Sequence, residues 1–110
     1  MRKRYVFAIN DIGDKFQFVF YGDAGDVILK SVPFDSVESC IEALALSRKC
    51  GSDEENYLRM ISKDHQYYFM LRDGSGKELG SGNKTPFMGE RNAKLMECLK
   101  YIRNGRYLAF

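Results

Sequence analysis

The chain has 110 residues, enough for one domain to bury a core without disulfide or metal staples. With 45% hydrophobic and 29% charged residues it has an ordinary globular composition, which excludes a disordered chain. A net charge of +2 is too mild to announce a nucleic-acid partner, and no apolar run approaches the ~20 residues of a bilayer span.

In chain order, Met1-Arg2-Lys3-Arg4-Tyr5 leads straight into strand-like alternation of Tyr5, Phe7 and Ile9, broken at Asn10-Asp11. An uninterrupted apolar stretch of signal-peptide type does not follow, so the expected location is cytoplasmic. A turn over residues 10–14 precedes a strand from about Lys15 to Tyr21. Alternation there puts Phe16, Phe18 and Phe20 on one face and Gln17, Val19 and Tyr21 on the other. Gly22-Asp23-Ala24-Gly25 reads as a hairpin loop, and the strand from Asp26 to Ser31 ends before Val32-Pro33. Asp35 is the expected N-cap, with Glu38 three residues on. Val37, Cys40, Ile41 and Leu44 then mark the inner face of a helix to about Lys49, stopped by Gly51.

After a polar linker, Gly51 to Glu55, the plan recurs: residues 7–31 align with residues 58–82 at a shift of 51 without a gap. Phe7 then matches Leu58, Ile9 matches Met60, and Phe18 matches Phe69. Further on, the pairing of Pro33-Phe34 with Pro86-Phe87 raises the shift to 53, and the helical runs raise it to about 55. The expected elements are strands at 57–62, 66–72 and 77–81 and a helix from about Gly89 to Arg103. Met88, Asn92, Leu95, Met96, Leu99 and Ile102 are expected on that helix's inner face. The expected layout is one domain over 1–110, with units at about 4–50 and 56–104 and an apolar tail at 105–110.

The chemistry-bearing residues do not gather into a catalytic motif. Cys40, Cys50 and Cys98 are an odd count with no Cys-x-x-Cys pair, which fits free thiols in a reducing compartment and no structural metal. The only histidine, His65, falls in the Lys63-Asp64-His65-Gln66 turn, where solvation explains it. Gly74-Ser75-Gly76 and Gly80-Ser81-Gly82 lack the Gly-Lys-Ser/Thr and helix start of a phosphate loop. No cofactor is therefore expected and no catalytic constellation is visible; an enzyme of unknown type, with a site assembled across the repeat junction, is the third reading, after the two binding readings below.

One constellation stands above background. If Phe16, Phe18, Phe20, Tyr67, Phe69 and Leu71 face the helices, the opposite sheet face mixes aromatic, aliphatic and cationic groups. Tyr21, Tyr68, Met70 and Arg72 are the candidate binding residues there, with Lys15 and Gln17 at the rim. Tyrosine and arginine anchor interfaces, which points to a protein partner or small ligand. The same groups, with the Arg2-Lys3-Arg4 arm, would also suit single-stranded nucleic acid. The bland alternative is a solvated face over which Tyr and Arg side chains snorkel.

The run from Phe18 to Phe34 resembles the YegP-like family of small bacterial proteins, a domain of unknown function. Its pattern is an aromatic strand, a hairpin turn, a short strand with isoleucine and serine, and an aromatic residue opening a helix. Ala24-Gly25 and Ser75-Gly76 occupy the turn, Ile28 and Leu79 the apolar position, Ser31 the serine, and Phe34 and Phe87 the usual tyrosine. The resemblance covers roughly residues 5–103 as a tandem pair. It implies an α+β fold in which two three-strand-plus-helix repeats form one antiparallel six-stranded sheet, with both helices on one face. A monomer then suffices where single-repeat relatives would dimerise, although a homodimer is compatible.

Overall fold

A computed structural model describes residues 4–108. Strands β1 (Val6–Asp11), β2 (Phe16–Tyr21) and β3 (Val27–Ser31) are followed by α1 (Val37–Cys50). Strands β4 (Tyr57–Ile61), β5 (Tyr67–Arg72) and β6 (Glu78–Ser81) are followed by α2 (Met88–Tyr101), and β7 (Arg106–Leu108) closes the chain. All seven strands join one sheet in the order β4-β5-β6-β3-β2-β1-β7. The expected six-stranded antiparallel sheet is thus corrected to a seven-stranded mixed one. The difference is the tail, which pairs parallel to β1 instead of hanging free.

The tail is held by backbone and by fit. Arg106 N–H donates to the Tyr5 carbonyl at 2.8 Å, and the Arg48 guanidinium donates to the Gly105 carbonyl. Gly105 lies so close to Phe7 and Phe20 that a Cβ there would stand 2.7 Å from each ring. A three-residue strand with such a side-chain anchor escapes a periodicity reading. Ala109 and Phe110, counted in the apolar tail, lie outside the described residues, as do Met1, Arg2 and Lys3 of the basic arm.

The second half repeats the element order of the first, but its offsets differ from those expected. The hairpin between Asp11 and Phe16 has four residues, whereas that between Ile61 and Tyr67 has five, with His65 at φ 62°. The extra residue slides β4 by one position. Phe7 stands opposite Phe20, and Tyr57, not Leu58, stands opposite Leu71. A one-residue slip reverses every side chain, so Leu58 and Met60 face away from the core. From β2 onward the offset stays at 51: Phe16 and Tyr67, Val27 and Glu78, Val37 and Met88 begin matching elements. Phe34 therefore corresponds to Thr85, since Phe16 bridges Phe34 and Tyr67 bridges Thr85. The expected match of Phe34 with Phe87 fails.

The core lies between the sheet and the two helices, built on Phe7, Phe18, Phe20, Phe69, Leu71 and Leu95. A bulge in β3 and another in β6 add Ile28 and Leu79, each an unpaired extra residue turned into the core. Helix α1 buries Cys40, Ala43, Leu44 and Ser47, so its stripe is rotated from the expected one and Ile41 is left exposed. Small residues let the helix approach the sheet closely, and the Ser47 hydroxyl returns its bond to the Ala43 carbonyl at 2.7 Å. Ser36, not Asp35, caps α1, accepting from Ser39 N–H at 3.1 Å, while Asp35 pairs with Lys15. Helix α2 buries Arg91, Leu95 and Cys98 and leaves the expected inner residues Met88 and Met96 exposed. Among the described residues, no helix is long and apolar enough to cross a membrane.

Candidate functional site

The face away from the helices is covered by no other element among the described residues. Strand register lays one row of residues across it: Leu58, Met70, Ser81, Lys30, Val19 and Ala8. Val19, between Ala8 and Lys30 in that row, is shielded to 1% exposure, so neighbouring side chains pack over the sheet. Leu58 and Met60 extend the apolar part of this face toward the β4 edge, a consequence of the hairpin insertion.

Strand β5 brings three of the candidate residues together, because Tyr68, Met70 and Arg72 alternate on this face. Met60 stands opposite Tyr68, Leu58 opposite Met70, and Glu78 opposite Arg72. The Lys84 ammonium lies 5.8 Å from the Tyr68 ring centre, a cation–π contact that sequence reading misses because it depends on the path of a loop. Tyr21 and Gln17 lie on β2, with β6 and β3 intervening, about 14 Å from β5 at ~4.8 Å per strand. Gln17 is engaged within the sheet, its amide donating to the Ser31 carbonyl at 2.9 Å. Lys15 pairs with Asp35 beside the first hairpin, which raises the lysine and lowers the carboxyl from their ordinary values. The six residues therefore form a compact trio on β5 and a separate group on and beside β2.

The remaining reactive groups are placed differently. Cys40 and Cys98 are fully buried, and burial pushes their thiols up to about 11 and about 12. The Tyr57 hydroxyl, 2.7 Å from the Gly51 carbonyl and 3.3 Å from the Cys98 sulfur, is raised by the same loss of water. His65 is exposed at its turn. Among the described residues, no group of three or more His, Cys, Asp or Glu side chains could hold a metal ion.

No protein-family profile matches the chain, and no curated protein does. Two solved structures share its fold. One is the solution structure of YegP from E. coli, a protein of unknown function: 19% identical, TM-score 0.87, covering 97% of this chain and 93% of that one. The other is a UPF0339 protein from Shewanella oneidensis: 16% identical, TM-score 0.86, covering 94% of this chain and 88% of that one. At these identities the likeness is one of fold, and the chain has the fold of the YegP-like proteins.

Proposed function

We propose that the protein is a non-enzymatic interaction module that binds its partner through the open sheet face, with Tyr68, Met70 and Arg72 at the centre. The observation that carries this reading is the row from Leu58 to Ala8 beside that trio, on the face away from both helices, with Val19 shielded by its neighbours. An open antiparallel face is normally polar, whereas this one offers apolar and aromatic area with arginine, the residue types that dominate interfaces. Tyr21, Gln17 and Lys15 belong to the far side of the same surface. We further infer that the chain is a tandem duplication of one strand-strand-strand-helix unit, sufficient as a monomer. A reducing, cytoplasmic compartment suits its three free thiols.

The charges of the face favour an acidic partner. Lys30, Arg72 and Lys84 are opposed there by Glu78. The Lys84–Tyr68 contact supports a second reading, single-stranded nucleic acid stacked on Tyr68 with its phosphates along these cations. The double variant Tyr68→Ala/Arg72→Ala separates site from scaffold. It should keep the parent fold while losing at least tenfold in affinity for whatever the parent recovers from lysate. Unchanged affinity overturns the site. Oligonucleotide binding that falls steeply as salt rises would select the nucleic-acid reading.

A further inference from the structure

A cleft of about 250 Å³ opens on the helix side of the sheet, between the start of β3, the loop from β6 to α2, and the first turns of α2. It arises from a difference between the two halves. In the first half the Phe34 ring, at its bridge to Phe16, packs on the core. At the matching bridge to Tyr67 the second half has Thr85, and where α1 buries Cys40, α2 buries Arg91. A ring and a thiol are replaced by a hydroxyl and a guanidinium, leaving room over Ile28 and Phe69.

Arg91 is the unusual member. It is 6% exposed, and among the described residues no carboxylate forms an ion pair with it. Its Nε donates to Asn92 Oδ1 at 3.0 Å and its Nη1 to the Met60 carbonyl at 3.2 Å, with the guanidinium 5.3 Å from the Tyr67 ring centre. Neutral acceptors leave its charge uncompensated, a costly state for a buried cation. The carboxylates nearby are engaged elsewhere: Asp26 pairs with Lys94, and Glu90 accepts from the Thr85 hydroxyl at 2.9 Å. The Lys84 ammonium lies at the Tyr68 ring on the opposite face, and with Asp26 paired to Lys94 and Glu90 held by Thr85 the Arg91 guanidinium is the cation left for a ligand. No side chain caps α2, so the partial positive charge of its first N–H groups adds to the same sign.

We propose that this cleft binds a small organic anion bearing one carboxylate, which meets Arg91 while a short apolar body lies on Ile28 and Phe69. The planar guanidinium fork matches a carboxylate, and the floor rewards buried methylenes. At about 250 Å³ the cleft falls below the ~300–1,000 Å³ of pockets for drug-sized ligands, which suits a small anion.

The test is a ¹H–¹⁵N NMR titration with sodium butyrate, sodium acetate and inorganic phosphate, at ionic strength held constant with sodium chloride. Butyrate should give saturable shifts at the amides of Ile28, Lys84, Thr85 and Gly89. Acetate, lacking two methylenes, should bind about tenfold more weakly. Arg91→Met keeps the apolar stem and should abolish saturation. Thr85→Phe restores the ring of the first half and should block butyrate with Arg91 still present, so the proposal remains testable even if Arg91→Met fails to fold. Shifts that never saturate, butyrate binding unchanged in Thr85→Phe, or phosphate binding tighter than butyrate would each overturn it.

Discussion

Burial sets the reactivity of individual side chains here, and the cysteines give the sharpest test. Cys40 and Cys98 are inaccessible and carry thiols raised to about 11 and about 12, whereas Cys50 at the end of α1 is half-buried. Because the thiolate is the reactive form, a disulfide reagent at pH 8 should modify Cys50 first. The other two should react only at the rate of unfolding, and all three at once in denaturant. Prompt modification of all three in buffer would contradict the buried placement. Asp73 supplies a pH test. Its carboxylate accepts from the Ser75 hydroxyl at 2.7 Å, Lys77 N–H at 3.0 Å and Ser75 N–H at 2.9 Å, bonds that hold it below its ordinary 3.8. A carboxyl whose folded pKa is depressed contributes stability above its unfolded value of about 4, lost as pH falls through the folded value. Asp73→Asn should therefore flatten the acid limb of the urea midpoint against pH. An acid limb unchanged from the parent would show that this turn does not contribute.

At the scale of elements, the hairpins and strands are legible because aromatic alternation and turn glycines are local signals. Gly25 and Gly76, both at positive φ, occupy the turns where the sequence places them. What is not legible is register. Leu58 and Met60 are apolar, as are Tyr57 and Ile61 around Arg59, so β4 offers two nearly equivalent apolar faces and the ungapped match selects the wrong one. The helices mislead for a related reason. Their buried stripes rest on small or charged residues, Ala43, Ser47 and Arg91, while Ile41 and Met96 sit outside, so hydrophobicity alone misplaces both. The candidate trio Tyr68, Met70 and Arg72 is legible because alternation within one strand suffices, but the cleft is not, since it depends on which loop residue occupies the Phe34 position. The seam between the halves also depends on a residue that pattern reading treats as filler. Strands β3 and β6 pair at Lys30–Ser81 and Ser31–Gly80, and a Cβ on Gly80 would stand 2.5 Å from the Lys30 carbonyl oxygen. Gly80→Ala should cost about 1–3 kcal/mol as the strands are forced apart. Gly74→Ala, with nothing within 4 Å, should stay within about 0.5 kcal/mol, as measured by urea denaturation. Equal costs would mean that the seam is not tight.

At the scale of the molecule, neither half owns its core. Helix α1 packs on β2 of its own half and on β5 of the other, and α2 packs on β5 of its own half and on β3 of the first. The chain end returns as β7 to pair with β1, anchored by Arg48 from α1. Tyr57, opening the second half, sends its hydroxyl back to the Gly51 carbonyl at the end of the first. Cutting at the linker would expose the β3–β6 seam and the apolar surfaces that each helix covers across it. Units of about 50 residues, each with three strands and one helix, bury too little to offset chain entropy without such sharing. Residues 1–52 and 53–110 expressed separately should therefore each give the collapsed amide spectrum of an unfolded chain, while the intact protein unfolds in one cooperative transition. Equimolar mixing of the fragments should restore dispersion, because every contact that crosses the cut is non-covalent. A dispersed, monomeric spectrum from either fragment alone would show that its own strands and helix suffice, and that the shared sheet joins two domains already stable.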